Sequence, residues 1–186
     1  MPTFRTSQPV SVAETVPLTP HLILVGLPGA GKTTVARAVG EALGRQVLDF
    51  DAEISRREGV SVAEIFGSRG EEHFRKLEHS LTGELRETGG MILSPGAGWI
   101  ANDGCLGLLR PPGIVIYLKV RPAVALVRMG AAAADRPLLR RPNPEAEVRK
   151  LLEARESLYL QSNHTVSTDT MTQSAVVASI VAIATG

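Results

Sequence analysis

Gly26-Leu27-Pro28-Gly29-Ala30-Gly31-Lys32-Thr33 is the stretch of this chain best equipped for chemistry. It fits G-x-x-x-x-G-K-[ST] at every position. The glycines let successive backbone N–H groups turn inward, where together they can surround an anion. Lys32 adds a full positive charge on a flexible stem, and the Thr33 hydroxyl is a hard oxygen ligand for a cation. A helix starting near Lys32 would aim the positive end of its dipole at the same spot. The expected ligands are a nucleoside triphosphate, ATP, and Mg²⁺. Gly29, Ala30, Gly31, Lys32, Thr33 and Thr34 are the expected nucleotide contacts.

That loop works only between a buried strand and a helix, and the flanking sequence supplies both. His21 to Val25 is a short apolar run that reads as a strand. Lys32 to Leu43 has helical character and stops at Gly44. The alternation then continues. Strands are expected at Gln46–Phe50, Met91–Ser94, Gly113–Val120 and His164–Ser167. Helices are expected at Ala52–Arg57, from Ser61, and at Glu71–Glu87, Asn102–Leu109, Pro122–Met129, Pro144–Gln161 and Gln173–Ala184. Ser61 and Glu64 have the spacing of a capping box. Strands alternating with helices imply an α/β fold: three layers, α/β/α, around a central parallel sheet of about five strands. Residues 21–186 are expected as one kinase-type domain, and residues 1–20, polar and proline-spotted, as a flexible extension. Pro137, Pro142 and Pro144 break the stretch from about 130 to 144, which suits a lid.

The 20 Lys and Arg nearly balance the 19 Asp and Glu, so the net charge of +1 gives no reason to expect nucleic acid or a membrane surface as partner. No apolar run reaches the ~18 residues of a transmembrane helix. A single cysteine, Cys105, cannot form an internal disulfide, which fits a reducing cytoplasm, and a monomer is expected. The four histidines show no metal-ligand spacing.

Five pieces, in order, resemble the shikimate kinase family, small members of the nucleoside monophosphate kinase-like group. They are the loop itself; Asp49-Phe50-Asp51; Ile65-Phe66 with Gly70-Glu71, Phe74-Arg75 and Glu78; Arg136-Pro137-Leu138-Leu139; and Arg155 with Tyr159. They span roughly Leu22 to Thr168. The resemblance implies an enzyme, a phosphotransferase that uses ATP to phosphorylate shikimate at its 3-hydroxyl in aromatic amino acid biosynthesis. It places Lys32, Asp51 and Arg136 in catalysis. Thr33 and Asp49 would hold the metal. Asp51, Arg75, Gly96, Ala97, Gly98 and Arg155 would meet the acceptor. The chemistry is consistent with that. A carboxylate is best gripped by guanidinium forks such as Arg75 and Arg155. A nucleophilic hydroxyl gains from a carboxylate such as Asp51 that orients it and takes its proton. Arg136 could lie against the transferring phosphoryl.

Plainer roles stand beside these. Asp49 or Asp51 could cap the next helix. Arg75 and Arg155 each sit among acidic neighbours on a helix, Glu71 and Glu78 among them. Arg140 and Arg141 compete with Arg136, and Tyr159 and Trp99 suit packing. One position departs from the family, which usually carries three consecutive glycines where this chain has Gly96-Ala97-Gly98. An alanine there is tolerable only at negative φ. Two other functions stay open: a kinase of the same fold for another hydroxy acid such as gluconate, or a nucleotide- or ligand-binding regulatory module with little turnover.

Overall fold

β1 (Leu22–Val25) is buried along its whole length, because it lies mid-sheet with helices on both faces. The structure, a computed structural model, describes residues 19–130 and 142–186. The expectations for residues 1–18, and for most of the lid with Arg136, lie outside the described residues.

Five parallel strands form one sheet in the order β2-β3-β1-β4-β5. The others are β2 (Val47–Asp49), β3 (Ile92–Ser94), β4 (Ile114–Lys119) and β5 (His164–Ser167). Seven α-helices are described: α1 (Lys32–Leu43), α2 (Phe50–Glu58), α3 (Val62–Leu85), α4 (Cys105–Leu109), α5 (Pro122–Gly130), α6 (Pro144–Tyr159) and α7 (Gln173–Thr185). Helix α1 packs on α7, α3 on α2 and α4, and α5 on α6, which completes the three layers expected. In a parallel sheet every strand ends on the same edge. The segments after β1, β2, β3 and β5 therefore meet there, beside the point where the strand order reverses.

Three boundaries differ from the sequence reading for local reasons. The Asp49 side chain accepts a hydrogen bond from Ala52 N at 3.1 Å, so α2 starts at Phe50 and β2 ends at Asp49. The stretch expected as one helix from Asn102 starts as a 3-10 turn at Trp99–Ala101, and α4 begins only at Cys105, after Gly104 at φ 81°. The expected capping box of Ser61 and Glu64 is present, and the helix it opens runs into the charged one, α3, across a break at Gly70 (φ 81°, ψ 171°). Thr19 and Pro20, expected in the extension, are tied to the domain. Gly90 N donates to Thr19 O at 2.7 Å, and Arg45 Nη2 donates to Pro20 O.

The core holds Trp99, Tyr117, Tyr159 and Phe50, none of them exposed. Trp99 Nε1 donates to Thr82 Oγ1 at 2.9 Å, which satisfies its one polar group. His21 is likewise buried and bonded: its Nδ1 accepts from Met91 N at 3.2 Å, and Nε2 lies 3.1 Å from Leu85 O. Cys105 is buried in the same core, and burial pushes its thiol up to about 11. That makes it a packing residue rather than a nucleophile.

Candidate active site

The loop after β1 closes tightly because two glycines occupy places no other residue could. At Gly26 (φ 147°) a Cβ would lie 2.6 Å from Leu118 O; at Gly29 (φ 81°) it would meet Met129 Cγ at 3.0 Å. The loop ends at Gly31, and α1 starts with no side-chain cap and no acidic residue in its first turn. Its leading N–H groups are therefore not satisfied by a side chain, and the dipole end is not neutralised. Lys32 Nζ reaches back over the loop to Gly26 O at 3.0 Å and Leu27 O at 3.1 Å.

The loop forms one wall of a cavity of about 600 Å³. Asp49, Asp51, Ser94, Pro95, Gly96 and Ala97 line another part. Thr33 Oγ1 donates to Asp49 Oδ2 at 2.7 Å and lies 3.4 Å from Ser94 Oγ. Asp49 thus does two jobs, capping α2 with one oxygen and meeting Thr33 with the other. This trio is all hard oxygen. Among the described residues no three His, Cys, Asp or Glu side chains cluster as a self-sufficient metal site. The donor set fits Mg²⁺, which takes one or two protein ligands and completes its shell with phosphate and water.

Asp51 stands in the first turn of α2, two residues after the cap, and is exposed. A Cβ on Gly96 would lie 3.1 Å from Asp51 Oδ1 and 3.2 Å from Glu78 Oε1. The two carboxylates therefore flank the same peptide. On the next glycine, Gly98, a Cβ would be 2.6 Å from Arg75 Cζ. Between them, Ala97 O accepts from Arg155 Nη1 at 3.2 Å and from the Tyr159 hydroxyl at 2.9 Å. So the Gly96-Ala97-Gly98 turn is the meeting point of α2, α3 and α6. No non-glycine residue among those described has positive φ, and Gly98 itself sits at φ −87°. The alanine is accommodated without strain, and the two glycines are there for space.

Charge at this turn is closely managed. Arg75 donates from Nη1 to Glu78 Oε2 at 2.5 Å and from Nη2 to Glu71 Oε1 at 2.8 Å. Burial works against its charge, but the Glu78 and Glu71 pairs outweigh that and hold the guanidinium above its ordinary value. Glu78 is 0% exposed. Burial pushes its carboxyl up, against the pull of Arg75, and nearby Asp51 adds to the rise. Its second oxygen, Oε1, has no hydrogen-bond partner among the described residues. Burial likewise raises the Tyr159 phenol, while Arg155 beside it pulls the other way.

The structure thus brings together all the described residues singled out from the sequence: the loop with Thr33 and Thr34, Asp49, Asp51, Arg75, Gly96, Ala97, Gly98 and Arg155. It adds some the sequence did not flag. Ser94 ends β3 beside Thr33, and Arg128, Thr168, Met171, Gln173 and Val176 line the cavity's far side. Arg128 is held there by bonds to Thr168 Oγ1 and O at 3.0 and 2.5 Å. A basic residue two positions before the lid was the one local signal for it.

A parallel sheet with this loop at the carboxyl end of a central strand defines the class of P-loop phosphate-binding proteins. The shikimate kinase family model matches residues 28–185. Shikimate kinase of Caldanaerobacter subterraneus subsp. tengcongensis is 38% identical over 146 residues, covering 78% of this chain and 85% of that protein. Shikimate kinase from Acinetobacter baumannii, solved in complex with shikimate, superposes with a TM-score of 0.82 at 36% identity, over 88% of this chain and 92% of that one. A gluconokinase from Sinorhizobium meliloti gives 0.57 at 16% identity over 90% and 92%, a likeness of fold alone. The chain belongs to the shikimate kinase family, phosphotransferases acting on a hydroxyl group.

Proposed function

We propose that this protein transfers the γ-phosphoryl group of ATP to the 3-hydroxyl of shikimate. The observation that carries the reading is the convergence at Gly96-Ala97-Gly98. Two guanidiniums from separate helices and the Asp51 carboxylate reach one turn, next to an uncapped helix end suited to phosphates. Arg75 and Arg155 would hold the acceptor's carboxylate. The Glu71 partner of Arg75 is 65% exposed, so its bond is weak and exchangeable for a ligand carboxylate. Asp51 would orient the attacking hydroxyl and take its proton. Lys32 and the loop N–H groups would hold the β- and γ-phosphates, with Arg136 assigned to the transferring group. Thr33 and Asp49 would hold Mg²⁺, which neutralises charge on the phosphates when bound. Transfer on this account rests on positioning and electrostatics, with little covalent work for the protein.

Arg75→Lys tests the clamp. The charge survives and can still pair with Glu78, but the planar fork is lost. The KM for shikimate is expected to rise about tenfold or more, with the KM for ATP within a few-fold. An unchanged shikimate KM would remove Arg75 from the acceptor site.

A further inference from the structure

Tyr159 read from the sequence as packing, and its ring does pack. It stacks on Tyr117 of β4, with centroids 4.9 Å apart and planes 12° from parallel. Its hydroxyl does something else. It donates to Ala97 O at 2.9 Å, the same carbonyl that accepts from Arg155 Nη1 at 3.2 Å. Residues four apart share a helix face, so α6 presents both side chains to one peptide.

The two donors differ in stiffness. Arg155 is a long side chain, half-buried, with several rotatable bonds. Tyr159 has two, is fully buried, and is wedged against a central strand. A carbonyl fixed by the phenol is a fixed acceptor for one guanidinium nitrogen. Anchoring Nη1 this way also orients the remaining N–H donors of Arg155, which lie in one rigid plane with it. Ala97 is the suitable peptide for this, since it sits between the two glycines whose backbones Asp51, Glu78 and Arg75 crowd.

We infer that Tyr159 is a positioning residue for the acceptor: its hydroxyl, through the Ala97 carbonyl, sets the Arg155 guanidinium for the acceptor's carboxylate. The inference rests on the reading of Arg155 as a carboxylate clamp, and the experiment separates the two.

Tyr159→Phe and Arg155→Lys are made singly and together, with Tyr117→Phe as control, and kcat and both KM values are measured with ATP and shikimate. Tyr159→Phe keeps the ring and is expected to raise the KM for shikimate about five- to tenfold, the worth of one ordinary hydrogen bond. Saturated turnover and the KM for ATP should stay within about twofold. Because the phenol acts through Arg155, adding Tyr159→Phe to Arg155→Lys should move the shikimate KM by less than about twofold. Tyr117→Phe removes a buried hydroxyl that has no partner among the described residues, and it should leave the shikimate KM unchanged. The same factor in both backgrounds, an equal rise in the KM for ATP, or an equal effect from Tyr117→Phe would overturn the relay and leave the clamp standing. An Arg155→Lys enzyme with wild-type KM for shikimate would overturn the clamp reading, and the relay with it.

Discussion

Lys32→Ala is expected to lower turnover by about 10²–10³, the usual loss when one preorganised electrostatic contact to a reacting group is removed. The fold should survive. Lys32 Nζ bonds to the Gly26 and Leu27 carbonyls, and Leu27 O keeps a second donor in Ala30 N at 3.1 Å. Losing these bonds costs on the order of 1–2 kcal/mol each, with water replacing the ammonium at a half-buried site. The glycine conformations that shape the loop do not depend on the side chain. Steady-state ADP release and a thermal melt check both halves. Near-native turnover from a folded Lys32→Ala enzyme would remove the phosphate role from this loop.

Asp51→Asn is expected to lower kcat by about 10²–10⁴ with the KM for ATP little changed, because the amide keeps the shape but cannot take the hydroxyl proton. Two effects of opposite sign act on stability. Asp51 is exposed and is not the cap of α2, a task that belongs to Asp49. Its negative charge is one of the causes that raise the Glu78 carboxyl. A group whose folded value is raised contributes stability below its unfolded value and loses it as pH rises through the folded value. With Asp51 neutral, Glu78 should shift downward, which relieves part of its cost at neutral pH, while the negative charge that Asp51 places in the first turn of α2 is lost. A collapse of ATP affinity with kcat intact would make Asp51 a metal or structural residue.

The phosphate loop and the α/β alternation were legible because both are local. Glycine spacing, a strand before and a helix after lie within a dozen residues. The bond between Thr33 and Asp49 was readable only as two candidates for one metal; that they touch is a consequence of β1 and β2 ending on the same edge of the sheet. Ser94 and Arg128 gave weak signals for the same reason. A serine ending a strand and an arginine near a helix end become site residues only through strand order. The Gly96-Ala97-Gly98 turn looked like a defect by comparison with three glycines. Alanine is acceptable there because the backbone keeps negative φ and the crowding falls on its neighbours. The joint grip of Arg155 and Tyr159 on Ala97 O spans 58 and 62 residues of chain, and no periodicity reports it.

On the proposed reading, the turn at Gly96-Ala97-Gly98 receives shikimate and presents its hydroxyl to ATP. The most direct measurement is coupled ADP release by the purified protein with ATP and Mg²⁺, offered shikimate, gluconate or a nucleoside monophosphate in turn. Saturable ADP release is expected with shikimate, lowered about 10²–10³-fold by Lys32→Ala, with background rates for gluconate and the nucleotide. Shikimate at background while gluconate or a nucleotide turns over would contradict it, as would ADP release that ignores every acceptor.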